Sequence, residues 1–219
     1  GSDAENCLNG VEFLEAFSQG RLKVGAQKVV CVGGGDTSID VVSVARRLGH
    51  ISNMNPQEKP EAVVHGYVAQ DVSEQAIKEG AEVTLTSLFK REEMTAAEQE
   101  VNDAMHEGVS ILNGVIPVKI ERDENGRATA LVVADCVFEE NVPKPVEGTE
   151  KVIEADLIIS AIGQSPDIEG YEEMGNERGF FDVDDFYRHK TKEGHFVAGD
   201  IIRPHLLTTA IGQGSIVSD

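Results

Sequence analysis

The sequence predicts an α/β fold in which a parallel sheet lies between helices and a β-meander. Three observations carry that expectation. A short apolar run passes through a glycine turn into a helix start over 28–40. Strand and helix patterns then alternate as far as residue 112. Beyond them, an Asn-Gly turn at Asn125-Gly126 joins two further strand patterns.

The first of these organises the rest. Val29 to Val32 is apolar and mostly β-branched, as a strand buried on both faces of a parallel sheet is. Gly33, Gly35 and Ser38 then fill the three small-residue positions of G-x-G-x-x-G/A, with Gly34, Asp36 and Thr37 between them. The first glycine permits the turn, and the second lets a pyrophosphate approach the backbone. The third position needs a small side chain so that helix and strand can pack closely. Thr37 is expected to cap the helix, with Asp40 three residues on, and the free amides there favour an anion. Strand, turn, cap and helix coincide, which a chance glycine triplet does not achieve; the plainer alternative is a structural βα corner.

The elements on either side follow from local pattern. Asn9-Gly10-Val11-Glu12 reads as a capping box opening a helix through Phe13, Leu14 and Phe17, ending near Gly20. From Thr37 to about Leu48 an apolar stripe of Val41, Val44, Ala45 and Leu48 has helical spacing, and Gly49 stops it. His50 to Pro60 reads as a loop, and Ala69 to Gly80 as a helix. Glu82 to Phe89 is the second strand. A plain nucleotide-binding unit brings that strand within ~20 residues of the motif, so either the stretch from about 50 to 80 is an insertion, the reading favoured by its clear loop and helix punctuation, or the second strand lies elsewhere. Thr95-Ala96-Ala97-Glu98 is a second capping box, opening a helix with Ala97, Val101, Ala104 and Met105 on one face and Gly108 at its end. Val109 to Leu112 is the third strand, which completes a Rossmann-like βαβαβ order with right-handed crossovers expected.

Val118 to Arg122 and Ala130 to Ala134 form a hairpin around Asn125-Gly126, expected to cover one face of the sheet. Cys136-Val137-Phe138 reads as a third run of this meander, broken by Pro143, Pro145 and Gly148. Asp156 to Gly163 is a buried strand ending in the small residues Ala161 and Gly163 around Ile162, where a ring can pass close to the backbone. Composition changes at Pro166. The reading is thus an N-terminal arm with a helix over 1–27, a nucleotide-binding domain over 28–164, and a different segment over 165–219.

At the end of the second strand, where an NAD-type site carries an acid for the ribose hydroxyl, the chain reads Phe89-Lys90-Arg91. Adjacent cations suit a 2′-phosphate, which Arg grips bidentately, and so favour NADP(H) over NAD(H). The alternative is a solvated pair neutralised by Glu92-Glu93.

Composition narrows the function classes. With 39 acidic against 19 basic residues the formal charge is −20, which opposes nucleic acid or anionic lipid as a partner. No apolar run approaches the ~18 residues of a membrane span, and nothing reads as a signal peptide. Cys7, Cys31 and Cys136 are scattered and form no metal or cluster motif, which fits a reducing cytoplasm. The six histidines lack metal-ligand spacing, and Ser38, Ser87 and Ser160 lie in no G-x-S-x-G, so neither a metalloenzyme nor a hydrolase is indicated.

Taken together, the motifs resemble the FAD-containing NADPH oxidoreductases related to the small subunit of glutamate synthase, within the pyridine-nucleotide–disulfide-reductase-like flavoproteins. The resemblance rests on Gly33 to Asp40, on Phe89-Lys90-Arg91 with Met94 and Ala96, on Ala161-Ile162-Gly163-Gln164, and on Val197-Ala198-Gly199-Asp200 followed by Thr208-Thr209-Ala210-Ile211-Gly212. The insertion and the Leu88-Phe89-Lys90 wording are similar to the branch associated with dissimilatory sulfite reductase. The resemblance implies that Gly33 to Ser38 hold the NADPH pyrophosphate, that Lys90 and Arg91 hold the 2′-phosphate, and that Ala161, Ile162 and Gly163 flank the nicotinamide. It implies that Gly199 and Asp200 meet FAD and that the helix beginning near Thr208 and Thr209 points its dipole at the flavin ring.

Lys90 stands where members of that family carry a first arginine, Asp36 where many have Asn, and Thr95 where many have Pro. The expectation is therefore a whole nucleotide domain and a partial FAD-binding domain, the family's first FAD motif and its cysteine-rich iron–sulfur segment being missing from the sequence. By itself this piece is expected to bind NADP(H) without flavin or turnover. The parent would move hydride between NADPH and FAD and pass electrons to an iron–sulfur domain or partner subunit, with no catalytic acid or base. A non-catalytic module that docks through its acidic surface is the competing reading.

Overall fold

The computed structural model describes residues 1–19, 26–48, 81–163 and 165–218. In chain order, β1 (Cys7–Asn9), α1 (Gly10–Ser18), β2 (Lys28–Gly33), α2 (Asp36–Leu48), β3 (Glu82–Ser87), α3 (Glu98–His106) and β4 (Ser110–Asn113) alternate strand and helix. The strands β5 (Val115–Arg122), β6 (Ala128–Glu139), β7 (Val142–Pro145) and β8 (Lys151–Glu154) follow as an antiparallel set, and β9 (Leu157–Ala161) returns to the first sheet. The expected loop over 50–60, the helix over 69–80 and the insertion they compose lie outside the described residues, as do Gly20, Gly49, Gly80 and Gln164.

Five strands make one parallel sheet in the order β1-β9-β2-β3-β4. Alternation along β2 assigns its side chains to two cores. Val29 and Cys31 join Val83, Leu85, Leu157 and Ile159 under the helices, packed against Phe13 of α1, Val41 and Ala45 of α2, and Val101 and Ala104 of α3. Val30 faces the other way, with Ile158, and meets Val115, Leu131 and Val133 of the antiparallel strands. The expected three layers are therefore present, with the meander covering the face opposite the helices. Met105, expected on the buried face of α3, is exposed.

Several local expectations need correction. β1 has no counterpart in the sequence reading. It is three residues long and exists by pairing Cys7, Leu8 and Asn9 with Ile158, Ile159 and Ser160. Beside it the buried Asn6 side chain donates to the carbonyls of Ala128 and Asp156, both at 2.8 Å, and accepts the Ala128 amide at 2.9 Å.

The meander differs too. Cys136 to Phe138 is no separate run but the far half of β6, and Pro143 and Pro145 lie inside β7, paired opposite Phe138 and Cys136. Proline is accommodated because, among the described residues, β7 pairs with β6 alone, so a missing N–H can face away from the ladder. The helix caps shift as well. Asn9 caps α1 as expected, accepting the Val11 amide at 2.9 Å. Thr37 does not cap α2; it sits inside the first turn, and the Gly35 carbonyl accepts from the Ser38 and Ile39 amides. Asp40 behaves unlike a capping carboxylate, since burial and the nearby Asp36 charge push its pKa up. Nor does Thr95 cap α3, whose N-cap is Ala97.

The chain separates into two compact units, Gly1–Gly163 and Gln164–Asp219. The second has a small core of Met174, Phe181 and Val197 with Ile168, Val183, Ile201 and Ile202 packed against it. Three isolated antiparallel bridges connect its turns, and α4 (Leu207–Ser218) closes the described chain. Its buried His189 accepts at Nδ1 from the Thr191 and Lys192 amides, so Nε2 carries the proton donated to the Met174 carbonyl at 2.9 Å.

Candidate functional site

The sheet brings three of the predicted segments to one edge. β9, β2 and β3 are neighbours, so Ala161 to Gly163, the glycine turn and Phe89 to Arg91 all leave the carboxyl ends of adjacent strands. The chain runs outward from β2 to β3 and β4, while β9 enters on the opposite side. The gap between β2 and β9 is thus a switch point, where open α/β sheets take their ligands.

At the turn the backbone approaches its neighbours too closely for side chains. A Cβ on Gly33 would stand 2.5 Å from the Ala161 carbonyl oxygen and 2.9 Å from Ser38 Cβ. One on Gly34 would stand 2.6 Å from Ser87 Oγ. Ser38 is fully buried beneath the turn, and its hydroxyl donates to the Gly35 carbonyl at 2.6 Å, which accounts for a polar residue at the third small position. Among the described residues no acceptor faces the amides of Asp36 and Thr37, which precede the first bonds of α2. A glycine cradle with open amides at the start of a thirteen-residue helix is a fit for a pyrophosphate.

Segment 94–97 packs onto this turn. The Ala96 amide and Thr95 Oγ1 donate to the Gly34 carbonyl at 3.3 and 3.4 Å, and Asp36 Oδ1 accepts the Ala97 amide at 3.2 Å. The Asp36 carboxylate is thereby turned to the start of α3 rather than to the open amides of its own helix.

Lys90 is exposed and Arg91 half-buried, at the head of a short 3₁₀ turn over Arg91–Glu93. Among the described residues neither cation pairs with a carboxylate, Glu92 and Glu93 included; Arg91 Nη2 instead donates to Asn102 Oδ1 of α3 at 2.7 Å. Across the turn, Ile162 is 76% exposed and Gly163 has φ +105°, a left-handed conformation that glycine adopts without strain. A cavity of about 570 Å³ lies on the meander side, lined by Cys7, Leu8 and Ser160 among others, and shares Ile162 with this site.

Sequence reasoning missed two residues that position this site. Ser87 is buried, fills the space left by the absent Gly34 side chain, and accepts the Phe89 amide at 3.2 Å. The available signal was a small polar residue at the strand's end, just before Leu88 and Phe89. Asn102 carried none, because its partner lies on another element.

Within the second unit, Gly199 has φ +88° and its amide donates to Gln213 Oε1 of α4 at 2.7 Å. Asp200 is exposed, and one carboxylate oxygen accepts the His205 amide at 3.4 Å. Thr208 and Thr209 occupy the first turn of α4, as expected, and Thr209 Oγ1 bonds His205 Nδ1 at 2.8 Å. α4 buries none of its residues, and Leu207, Ile211 and Ile216 are exposed.

The family model for pyridine nucleotide-disulphide oxidoreductases matches residues 1–214. The chain belongs to this family of oxidoreductases, whose cofactors are NAD(P)H and FAD. Among curated relatives, the beta subunit of NADPH-Fe(3+) oxidoreductase of Geobacter sulfurreducens is 34% identical over 166 residues, covering 73% of this chain and 20% of the relative. The glutamate synthase [NADPH] small chain of Azospirillum brasilense is 27% identical over 216 residues, covering 93% and 38%. The chain thus spans well under half the length of either relative. The fold is also that of Mycobacterium tuberculosis FprA in complex with NADPH, with a TM-score of 0.69 at 12% identity over 99% of this chain and 58% of that one.

Proposed function

We propose that the first unit is the NADP(H)-binding domain of a flavin-dependent oxidoreductase and that the second is part of its FAD-binding domain. The observation that carries this reading is the glycine corner, where the backbone of β2 closes on Ala161 and Ser38 while the amides of Asp36 and Thr37 stay open. Gly33, Gly34, Gly35, Asp36, Thr37 and Ser38 form the cradle for the pyrophosphate. Lys90 and Arg91, uncompensated by carboxylates among the described residues, receive the 2′-phosphate, and Asn102 holds Arg91 in place. Ala161, Ile162 and Gly163 border the nicotinamide. In the second unit Gly199 and Asp200, with Thr208 and Thr209 at the start of α4, contribute to the flavin site.

In the whole protein the bound cofactors supply hydride transfer between NADPH and FAD, with electrons passed on to iron–sulfur centres or a partner subunit. The residues of this chain bind, orient and neutralise charge, and no side-chain acid or base is required. That both named relatives are NADPH enzymes supports NADP(H) over NAD(H). The free state of Cys7, Cys31 and Cys136 supports a reducing cytoplasm.

Isothermal titration calorimetry of the chain with NADPH and with NADH tests the reading. Tighter binding of NADPH is expected. Heat from neither coenzyme would remove the nucleotide assignment.

A further inference from the structure

Phe89 and Phe138 stack at the surface with ring centroids 5.6 Å apart and planes 12° from parallel. They remain 37% and 45% exposed. They come from different layers, Phe89 from two residues beyond the end of β3 and Phe138 from the far half of β6. The backbone beneath Phe89 is held on every side. Its amide donates to Ser87 Oγ, and its carbonyl accepts from the Gly114 amide and from Asn113 Nδ2, both at 3.1 Å. Phe138 is fixed in register opposite Pro143. Two aromatic rings are thus kept in contact and partly in water, immediately before Lys90 and Arg91 and one strand from the glycine turn.

We propose that this pair is a stacking platform for the adenine base of the dinucleotide, so that the β6–β7 hairpin contributes directly to the nucleotide site. The inference rests on the NADP(H) reading above. A 2′-phosphate sits on the ribose that carries the adenine, so cations that grip the phosphate place the base within one sugar of themselves. The Phe89–Phe138 pair, whose first ring directly precedes Lys90 in the chain, offers a flat apolar surface beside those cations. A base stacks on such a surface through its π-face, without hydrogen-bond readout, and removing the ring loses roughly ten-fold in affinity. The arrangement divides the recognition: the rings take the base and the cations take the phosphate that distinguishes NADP from NAD.

The test uses 2′,5′-ADP, which carries the base and the 2′-phosphate but no nicotinamide. Phe138→Leu keeps an apolar side chain against Phe89 and removes the aromatic face. It is expected to bind 2′,5′-ADP roughly ten-fold more weakly while its response to inorganic pyrophosphate is unchanged. Phe138→Trp gives an independent readout, because the chain has no tryptophan. Its fluorescence should be quenched by 2′,5′-ADP and not by pyrophosphate. Wild-type affinity in Phe138→Leu, or an indole that does not respond while calorimetry registers binding, would overturn the platform and leave the NADP(H) site standing. Failure of the wild-type chain to bind NADPH would overturn the nucleotide reading and the platform with it.

Discussion

Asp36 reaches the start of a helix that is not its own, its Oδ1 accepting the amide of Ala97, the N-cap residue of α3, at 3.2 Å. An acid beside the proposed pyrophosphate cradle would repel the ligand if it pointed inward; here its charge answers the positive end of α3. The contact also holds segment 94–97 over the glycine turn. Asp36→Ala is expected to lower unfolding free energy by about 1 kcal/mol, as loss of one hydrogen bond does. Asp36→Asn, which can still accept, should retain most of that stability. Urea denaturation of the two variants checks the ranking.

The two glycines should fail differently. Gly33→Ala sets a methyl against the Ala161 backbone, which cannot rotate away, and is expected to cost about 1–3 kcal/mol. Gly34→Ala meets only the Ser87 side chain, tightly at Oγ (2.6 Å) and in ordinary contact at Cβ (3.4 Å). The double variant Gly34→Ala/Ser87→Ala should therefore lose less than the sum of the singles, and a thermal-denaturation double-mutant cycle would detect the coupling.

Arg91→Ala is expected to weaken NADPH about ten-fold or more, as loss of a charge-assisted bond does, and to leave NADH nearly unchanged. Asn102→Ala, which frees the guanidinium without removing it, should have a smaller effect of the same selectivity. Calorimetry with both coenzymes separates these outcomes, and equal losses would contradict the 2′-phosphate role.

Burial pushes all three thiols up, most for the fully buried Cys31. Alkylation of the native protein near neutral pH should therefore leave Cys31 unlabelled, with slow modification confined to Cys7 and Cys136. Mass spectrometry after iodoacetamide treatment, with and without denaturant, reads this directly.

Features set by local pattern were legible in the sequence. The β2 strand, its glycine turn and Ser38 at the third small position could be read because strand period, turn chemistry and helix period all lie within thirteen residues. The same holds for Asn9 as a cap and for the hairpin around Asn125-Gly126. What failed depended on distant partners. β1 is a strand only because β9 lies beside it, some 150 residues away in sequence. Pro143 and Pro145 read as breakers because sequence does not reveal which strand has a free edge. At both misplaced caps a side chain able to cap was present, but the chain turned elsewhere, at Gly35 and at Ala97. The contact between Phe89 and Phe138 joins two layers and has no sequence signal.

The prolines of β7 have a consequence for how molecules of this protein meet one another. The Val146 amide bonds back to Asp135, so alternate residues 142 and 144 also face β6, while 143 and 145 face outward. The outward rim of the strand therefore offers carbonyls but lacks two successive donors, and an incoming chain cannot continue the ladder across it. An exposed β-edge of this kind would otherwise template intermolecular association; here it is closed off by backbone chemistry that no change of salt or pH can undo.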